Sequence, residues 1–377
     1  MKIGIITQPL GINYGGLLQN YALQQVLKKM GHEVYTIARS SSGIYSSKLP
    51  KRYKFYIKQI IKICFGKAYY PLYNQFIKTR VHCINFVKKN ISTTPIFKSQ
   101  KQLHSITNKY KFNAYIVGSD QVWRPCYSEN IYNDFLDFCQ AQKGVKRIAY
   151  AASFGVQEWE FNEEQTKECS RLAKLFNTIS VREDSGIRLC NEHLGVDSAH
   201  VLDPTLLLKE EDYIKLVEEN KEAPSTGDLF CYILDNNRNI ENTIIDLEKR
   251  TSLKSFQVKA KKNLIQPRKR NLTDLVIPAP TKWLRAFMDA KMIFTDSFHG
   301  CVFSIIFNKP FWVIGNSERG NARFDSLLKL FDLEDRRISL EEINHTNLYS
   351  EIDWANVNCI KKEWQEKSLN FLKENLK

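Results

Sequence analysis

The sequence lacks several features that would place it in common classes of protein. Its nine cysteines are an odd number, they are scattered, and none of them forms a C-x-x-C pair. This pattern favours a reducing compartment and argues against a zinc site. No apolar run approaches the roughly 18 residues of a membrane-spanning helix, and the opening "MKIGIITQPLG" is too short for a signal peptide. We therefore expect a cytoplasmic protein that uses no metal and no cofactor.

Acidic residues are also missing from one long stretch. From Val34 to Ser119 there is no Asp or Glu, whereas the same stretch holds sixteen Lys and Arg residues. Since the net charge of the whole chain is +14, the remainder is close to neutral. Aromatic residues are interleaved with the basic ones, as in "KRYKFYIKQIIKICFGKAYYPLYNQFIKTR". A basic, aromatic and amphipathic segment suits an anionic membrane surface. A solvated helical insertion with a basic outer face explains the segment nearly as well. Nucleic acid is the weakest interpretation because no zinc finger, RRM-like signature or helix-turn-helix pattern is present.

Short β-rich runs alternate with helical runs along the chain. "KIGIIT" at 2–7, a helical pattern at 15–31 and "HEVYTI" at 32–37 predict a β-α-β unit and hence a parallel sheet. Further strands are predicted at 113–120, 147–155, 178–184, 199–205, 229–235, 255–260, 292–296 and 310–315. A length of 377 residues favours two domains. The layout predicts an α/β protein with two Rossmann-like domains that face each other across a cleft.

The best candidate for a linker between the domains is "EAPSTGD" at 222–228. The predicted N-terminal domain covers residues 1–222 and carries a basic helical insertion at about 40–112. The predicted C-terminal domain covers residues 228–359. Residues 360–377 are amphipathic and predict a helix suited to crossing back to the first domain.

Polar residues follow several predicted strands, and in open α/β sheets the ligand crevice lies at the carboxyl ends of the strands. In "NYGGLLQNYAL", Gly15 and Gly16 open a helix whose free N–H groups suit an anion. Asn13, Tyr14 and Gln19 would then belong to a loop that faces the ligand. Tight packing of the strand against the helix would explain the same glycines equally well.

Two further motifs end predicted strands. "VGSDQVW" places Ser119 and Asp120 just past a strand, where Asp120 would serve as a base or cap a helix, and Trp123 would stack on a sugar ring. Arg182 ends the strand in "SVREDSG", and its fork suits a carboxylate or phosphate, with a salt bridge to a neighbouring acid as the alternative. Asp203 in "VLDPT" is predicted to be structural, as a cap or as a residue that orients a neighbour.

The motif "TDSFHG" places His299 in the first turn of an apolar helix. A histidine there can exchange protons near neutral pH, and Gly300 would let a ligand approach closely. Arg319 and Arg323 follow in "ERGNARF" and could hold an anion. Taken alone, however, a histidine at the start of a helix is more often structural.

The ordered set of motifs resembles the polysaccharide pyruvyl transferase family. The resemblance runs from about residue 3 to residue 333 and rests on "NYGGLLQNYALQQVLKKMGHEV", "VGSDQVW", "SVREDSG", "VLDPTLLL", "TDSFHG" with "NKPFWVI", and "RFDSLLKLFDL". It implies a two-domain fold like that of the GT-B glycosyltransferases. It also implies transfer of a pyruvyl group from phosphoenolpyruvate to two hydroxyls of a sugar in a surface polysaccharide precursor, forming a ketal. His299, Arg182 and Arg319 would belong to the donor site.

Ser297 departs from the pattern of this family, in which many members carry Arg two positions before the histidine. A phosphoenolpyruvate site needs several fixed positive charges, so Arg182, Arg319 or Arg323 would have to compensate. We predict that His299 transfers the proton.

The predicted partners are phosphoenolpyruvate, a sugar acceptor that could be lipid-linked, and an anionic membrane surface contacted through residues 34–119. The protein would then be peripheral at the inner face of the membrane, and no nucleic acid is expected. Two alternatives remain open at this point. One is a GT-B-type glycosyltransferase that uses a nucleotide sugar, although no clear nucleoside site is visible. The other is a non-catalytic, membrane-associated assembly protein.

Overall fold

A computed structural model of the chain describes residues 1–40, 49–65, 72–262, 271–315 and 320–377. For residues 49–52 it describes the backbone alone. Two parallel sheets organise the fold. The N-terminal sheet has the strand order β2-β1-β3-β4-β5-β6. Its strands are β1 (Lys2–Ile6), β2 (Glu33–Thr36), β3 (Ala114–Val117), β4 (Lys146–Ala152), β5 (Thr178–Val181) and β6 (Ala199–His200). The C-terminal sheet has the order β11-β10-β9-β7-β8. Its strands are β7 (Leu229–Tyr232), β8 (Ser255–Phe256), β9 (Met292–Thr295), β10 (Phe311–Ile314) and β11 (Arg337–Ile338).

Helices connect the strands in both halves of the chain. Those before the second sheet are α1 (Tyr14–Lys29), α2 (Leu49–Cys64), α3 (Tyr73–Thr79), α4 (Val81–Asn90), α5 (Gln100–Tyr110), α6 (Glu163–Ala173), α7 (Asp184–Leu189) and α8 (Glu210–Glu219). Those that follow are α9 (Arg238–Thr251), α10 (Pro280–Asp289), α11 (Phe298–Ile306), α12 (Ala322–Leu330) and α13 (Trp354–Asn375). The prediction of two Rossmann-like domains is confirmed. In the part of the predicted basic insertion that the structure describes, the helices are α2 to α5.

The first β-α-β unit shows why these residues form these elements. The strand β1 is a nearly continuous apolar run, and Ile3, Ile5 and Ile6 are buried, as expected for a parallel strand that is covered on both faces. Asn13 begins α1 by accepting a hydrogen bond from the Gly16 N–H at 3.2 Å. Such a cap satisfies one of the free donors of the first turn. The loop that follows β1 therefore leads directly into α1 at the carboxyl edge of the sheet.

The two halves of the chain are joined by contacts far apart in sequence. The hydroxyl of Tyr14 donates to the carbonyl of Pro278 at 2.9 Å, and its ring lies 5.6 Å from that of Trp283. The helix α13 packs against the N-terminal domain, where the hydroxyl of Ser368 accepts a hydrogen bond from the Leu202 N–H at 3.0 Å. No helix among the described residues combines the length and the apolar character needed to cross a bilayer.

Candidate active site

A cavity of about 540 Å³ lies where the carboxyl ends of the two sheets face each other. Its walls come from the segments that follow β1 and β3 in the N-terminal sheet, and from those that follow β7 and β9 in the C-terminal sheet. The start of α1 and the first turn of α12 complete it. This is the crevice position expected for ligands in open α/β sheets.

His299 lies in this wall, in the first turn of α11. Its Nε2 atom is buried 3.6 Å from Oδ2 of Asp203. Its Nδ1 atom lies over the start of α1, because a β-carbon added at Gly15 would overlap with Nδ1. Gly15 is therefore needed for the close approach of this ring. The imidazole is held between a carboxylate on one side and a helix start on the other.

Asp203 is wholly enclosed and shared by several donors. Its Oδ2 atom accepts from Nη1 of Arg182 at 2.8 Å and from the hydroxyl of Ser119 at 3.3 Å. Its Oδ1 atom accepts from the N–H and the hydroxyl of Thr205 at 3.0 and 2.7 Å. Burial opposes its ionisation, but the contacts with His299, Arg182 and Thr205 outweigh burial and hold the pKa of Asp203 below its usual range. The prediction that Asp203 caps a turn or orients a neighbour is confirmed.

Arg182 stands behind the cavity wall and does not line the cavity. Its side chain is buried, with Nη2 3.7 Å from Oδ1 of Asp120 and its guanidinium carbon 4.4 Å from the centre of the Phe298 ring. The structure thus corrects the predicted direct contact between Arg182 and the donor. The Nη1 atom of Arg182 donates to Asp203 and the guanidinium face lies on the Phe298 ring, so in this structure Arg182 reaches the cavity through these two residues.

Arg323 supplies the positive charge that faces the cavity. Among the described residues that line it, Arg323 is the only Lys or Arg. Its guanidinium carbon lies 5.7 Å from the centre of the Phe298 ring. Burial and the nearby Arg182 lower the pKa of Arg323 to about 10, so it stays protonated at neutral pH. Ser297 lines the same cavity, whereas Arg319 lies outside the described residues.

Asp120 lies in the wall of the same cavity, after β3. Its backbone has a φ of 70°, a left-handed conformation that Asp tolerates better than most residues. Its Oδ1 atom accepts from the Gln121 N–H at 2.9 Å. A β-carbon added at Gly16 would lie 3.5 Å from its Oδ2 atom, so Asp120 and the start of α1 share one corner of the cavity with Asn13.

Three predicted residues of the loops support this wall from behind. Ser119 and Gln19 have no exposed surface. The Oε1 atom of Gln19 accepts from the Ser119 N–H at 3.1 Å, and its Nε2 atom donates to the hydroxyl of Thr7 at 3.0 Å. Tyr14 is buried at the contact between the domains. These residues hold in place the loops that line the cavity, and they are not themselves among the residues that line it.

The prediction that Trp123 stacks on a sugar ring is wrong. Its ring has no exposed surface, stacks on Phe135 with 4.8 Å between ring centres, and donates its indole N–H to the carbonyl of Asp134 at 2.9 Å. The prediction that Gly300 lets a ligand approach closely is also corrected, because a β-carbon there would overlap with the hydroxyl of Thr295. Its lack of a side chain lets α11 pack on β9, and it does not line the cavity.

Sequence reasoning missed several residues of the cavity wall. Asp296 accepts from the N–H groups of Leu234 and Asp235 at 2.7 and 2.9 Å, and it thereby ties the loop after β7 to the loop after β9. Tyr127 and Glu129 come from the short segment after "GSDQVW". Asp296 could have been found from the sequence because it stands within "TDSFHG".

The described residues contain no group of three or more His, Cys, Asp or Glu side chains placed to hold a metal ion. The polar groups of the wall provide the imidazole of His299, the guanidinium of Arg323 and the carboxylates of Asp120, Glu129 and Asp296 around one space. Such a set can bind an anion, transfer a proton and accept one.

A sequence model of the family described as "Polysaccharide pyruvyl transferase" matches residues 13–318 of the chain. Among solved structures, the UDP-GlcNAc 2-epimerase of Methanocaldococcus jannaschii is 13% identical with a TM-score of 0.51, and the match covers 99% of this chain and 100% of that one. A structure of the same enzyme in complex with UDP-GlcNAc and UDP is 12% identical with a TM-score of 0.51, and covers 97% and 100%. A glycosyltransferase from Rickettsia africae is 12% identical with a TM-score of 0.46, and covers 100% and 99%. The likeness to the epimerase shows the fold alone, which is GT-B-like. A search of curated protein sequences found no match.

Proposed function

Because the chain belongs to the polysaccharide pyruvyl transferase family, we propose that it transfers a pyruvyl group from phosphoenolpyruvate to two hydroxyls of a sugar in a surface polysaccharide precursor, forming a pyruvate ketal. The observation that carries this proposal is the meeting of His299, Arg323 and Asp120 in one cavity between the two sheets. Each provides one of the functions that the reaction needs, namely proton transfer, anion binding and activation of a hydroxyl.

The donor has both a carboxylate and a phosphate, and we place its anionic groups between Arg323 and the start of α11. The backbone N–H groups at a helix start favour negative charge, and Ser297 occupies the position just before this helix. The guanidinium of Arg323 is buried and crowded by Arg182, so an incoming anion would relieve the repulsion between the two cations. In this arrangement Arg323 supplies the positive charge that an arginine at position 297 would otherwise provide.

The reaction proceeds by additions and eliminations whose atoms balance. A proton adds to the methylene carbon of phosphoenolpyruvate, and the neighbouring carbon becomes electrophilic. A sugar hydroxyl adds to that carbon and loses its proton, and the phosphate group then leaves with its bonding electron pair. The second hydroxyl adds at the same carbon and loses its proton, which closes the ketal ring. One proton is consumed and two are released, and the departing phosphate takes up the one in excess.

His299 transfers the first proton in this scheme. Because its Nε2 atom is buried against Asp203, Nδ1 is the atom left for exchange with the ligand. Asp203 and Arg182 act as positioning residues, since they touch His299 or its carboxylate partner and not the cavity. Asp120 is the base that receives a proton from the sugar hydroxyl.

The test uses the purified protein with phosphoenolpyruvate and measures both donor binding and phosphate release in the presence of a panel of sugar acceptors. We expect phosphoenolpyruvate to bind in calorimetry and UDP-GlcNAc not to bind. His299→Ala should keep donor binding and lower phosphate release by about a hundredfold or more, the range of general acid–base catalysis. His104, exposed on α5, provides the matched control as His104→Ala. Wild-type turnover in His299→Ala would remove His299 from the chemistry, and binding of UDP-GlcNAc alone would overturn the proposed donor.

A further inference from the structure

The helix α2 presents an apolar stripe to solvent. Tyr53, Ile57, Ile60 and Ile61 recur at the three- and four-residue spacing that brings side chains onto one face of a helix. They are 68%, 40%, 52% and 50% exposed, although isoleucine is among the residues most often buried in soluble proteins. Cys64 extends the stripe by one position and is also exposed. A run of exposed side chains of this kind marks a surface that contacts something.

A row of lysines borders this stripe. Lys54, Lys58 and Lys62 each follow an exposed apolar residue by one position, so they lie about 100° further round the helix. Lys54 and Lys58 are exposed and Lys62 is half-buried. The apolar stripe and the lysine row therefore form two adjoining faces of α2.

A third side of α2 is less exposed than the other two. Gln59 is buried, at 3% exposure, and Phe55 and Tyr56 are half-buried. Ile63, towards the end of the same side, is 40% exposed. The less exposed side is therefore confined to the middle of α2, and the apolar stripe and the lysine row are its exposed sides.

The chemistry of these faces selects the occupant. No acidic residue occurs between residues 34 and 119, so no carboxylate of this stretch neutralises the lysines of α2. A nucleic acid would use the lysines but would leave the branched aliphatic side chains in water, since bases stack on aromatic rings or Arg. A second copy of the chain would cover the apolar stripe but would bring two lysine rows together. A bilayer with anionic headgroups satisfies both faces at once.

We propose that α2 docks the protein on an anionic membrane surface, with the apolar stripe at the boundary between headgroups and acyl chains and the lysine row among the headgroups. The docking is independent of the proposed function. One further step does rest on the proposed function, namely that the membrane presents the sugar acceptor on a lipid carrier. Docking would then restrict the search of the enzyme for its acceptor to a surface.

Flotation of the full chain with vesicles tests this. We expect binding to vesicles of phosphatidylglycerol and phosphatidylcholine in equal parts, weaker binding at high ionic strength, and little binding to phosphatidylcholine alone. Each lysine near such a surface contributes about a fivefold gain in affinity. Lys54→Gln with Lys58→Gln should therefore weaken binding by about twenty- to thirtyfold, and Ile57→Ser with Ile61→Ser should abolish it.

Matched controls separate α2 from general effects of charge and apolarity. Lys101→Gln with Lys109→Gln removes two exposed lysines from α5, and Ile96→Ser with Ile245→Ser removes two exposed isoleucines elsewhere. Both control pairs should float as the wild type does. The proposal would be overturned if the protein bound neutral vesicles equally well, if the control pairs lost as much binding, or if the chain bound only nucleic acid. It would also be overturned if Ile57→Ser with Ile61→Ser dissociated a dimer and left flotation unchanged. Donor binding should be unchanged in every variant, so failure here leaves the proposed reaction intact.

Discussion

At the scale of single residues, Asp203 links the part of the site that comes from the N-terminal domain to the part that comes from the C-terminal domain. It comes from the N-terminal domain, yet its Oδ2 atom lies 3.6 Å from Nε2 of His299 in the C-terminal domain and 2.8 Å from Nη1 of Arg182. A buried carboxylate between two basic groups is stable only while both remain in place. The orientation of the His299 imidazole therefore depends on how the two domains are apposed.

This dependence predicts the behaviour of Asp203→Asn. The substitution leaves Arg182 buried without its carboxylate, so we expect the free energy of unfolding at pH 7 to fall by about 3–5 kcal/mol. Because the native pKa of Asp203 lies below its usual range, its contribution is fully present above the unfolded pKa of about 3.9 and is lost as the pH falls through the native value. The gap in stability between the wild type and Asp203→Asn should thus narrow below about pH 4.

Urea unfolding at several pH values measures this gap. Asp197, which is exposed, gives the matched control, and Asp197→Asn should follow the wild type at every pH. A gap that stays constant down to acid pH would mean that Asp203 is not the stabilising anion. Phosphate release by Asp203→Asn should also be impaired under conditions in which the variant remains folded, because His299 loses the partner that orients it.

At the scale of elements, α11 and α12 bring their first turns to the same cavity. The helix α11 contributes His299, and α12 contributes Arg323. The ring of Phe298 lies near the guanidinium groups of both Arg182 and Arg323. The start of α11 is thereby fixed by cation–π contacts from each domain.

Arg323→Gln should weaken the binding of phosphoenolpyruvate. A hydrogen bond to a charged group contributes about 1.5–3 kcal/mol, so we expect the dissociation constant to rise by about ten- to a hundredfold. Lys329→Gln removes the same charge from the exposed side of the same helix and should leave binding unchanged. Calorimetric titration measures both. Equal affinities in the two variants would show that the donor does not contact Arg323.

Strands and helices were accessible to sequence reasoning, whereas the direction in which side chains point was not. The polar ends of "VGSDQVW", "SVREDSG" and "VLDPT" do converge, because parallel strands bring their carboxyl ends to one edge. The sequence could not decide that Arg182 turns inward to Asp203 while Arg323 faces the cavity, since that choice depends on contacts between side chains far apart in the sequence. Trp123 shows the same limit, because its burial against Phe135 follows from the path of the chain after the motif. β11, with two residues, is too short to give a periodic signal.

At the scale of the whole molecule, α13 returns from the C-terminal domain to the N-terminal one. Ser368 is buried, and its hydroxyl accepts the N–H of Leu202 at 3.0 Å, next to Asp203. The rings of Phe371 and Tyr150 lie 6.2 Å apart. The helix thus covers the part of the N-terminal domain that holds the Asp203 turn.

Ser368→Ala should destabilise the protein by about 1–3 kcal/mol, because a buried N–H group is left without an acceptor. Ser105, exposed on α5, supplies the control Ser105→Ala, for which we expect a change of less than about 0.5 kcal/mol. Urea unfolding at neutral pH gives both values. No loss of stability in Ser368→Ala would mean that the Leu202 N–H finds water or another acceptor.

Because α13 follows both sheets in the chain, it is synthesised after the N-terminal domain that it covers. On the ribosome, the N-terminal sheet leaves first and can form its strands while later residues are still being added. The helix that covers its Asp203 turn emerges only after both sheets have been synthesised. Until then the surface around Leu202 and Tyr150 stays open to water and to chaperones, so the N-terminal domain reaches its final stability only when the C-terminal domain is in place.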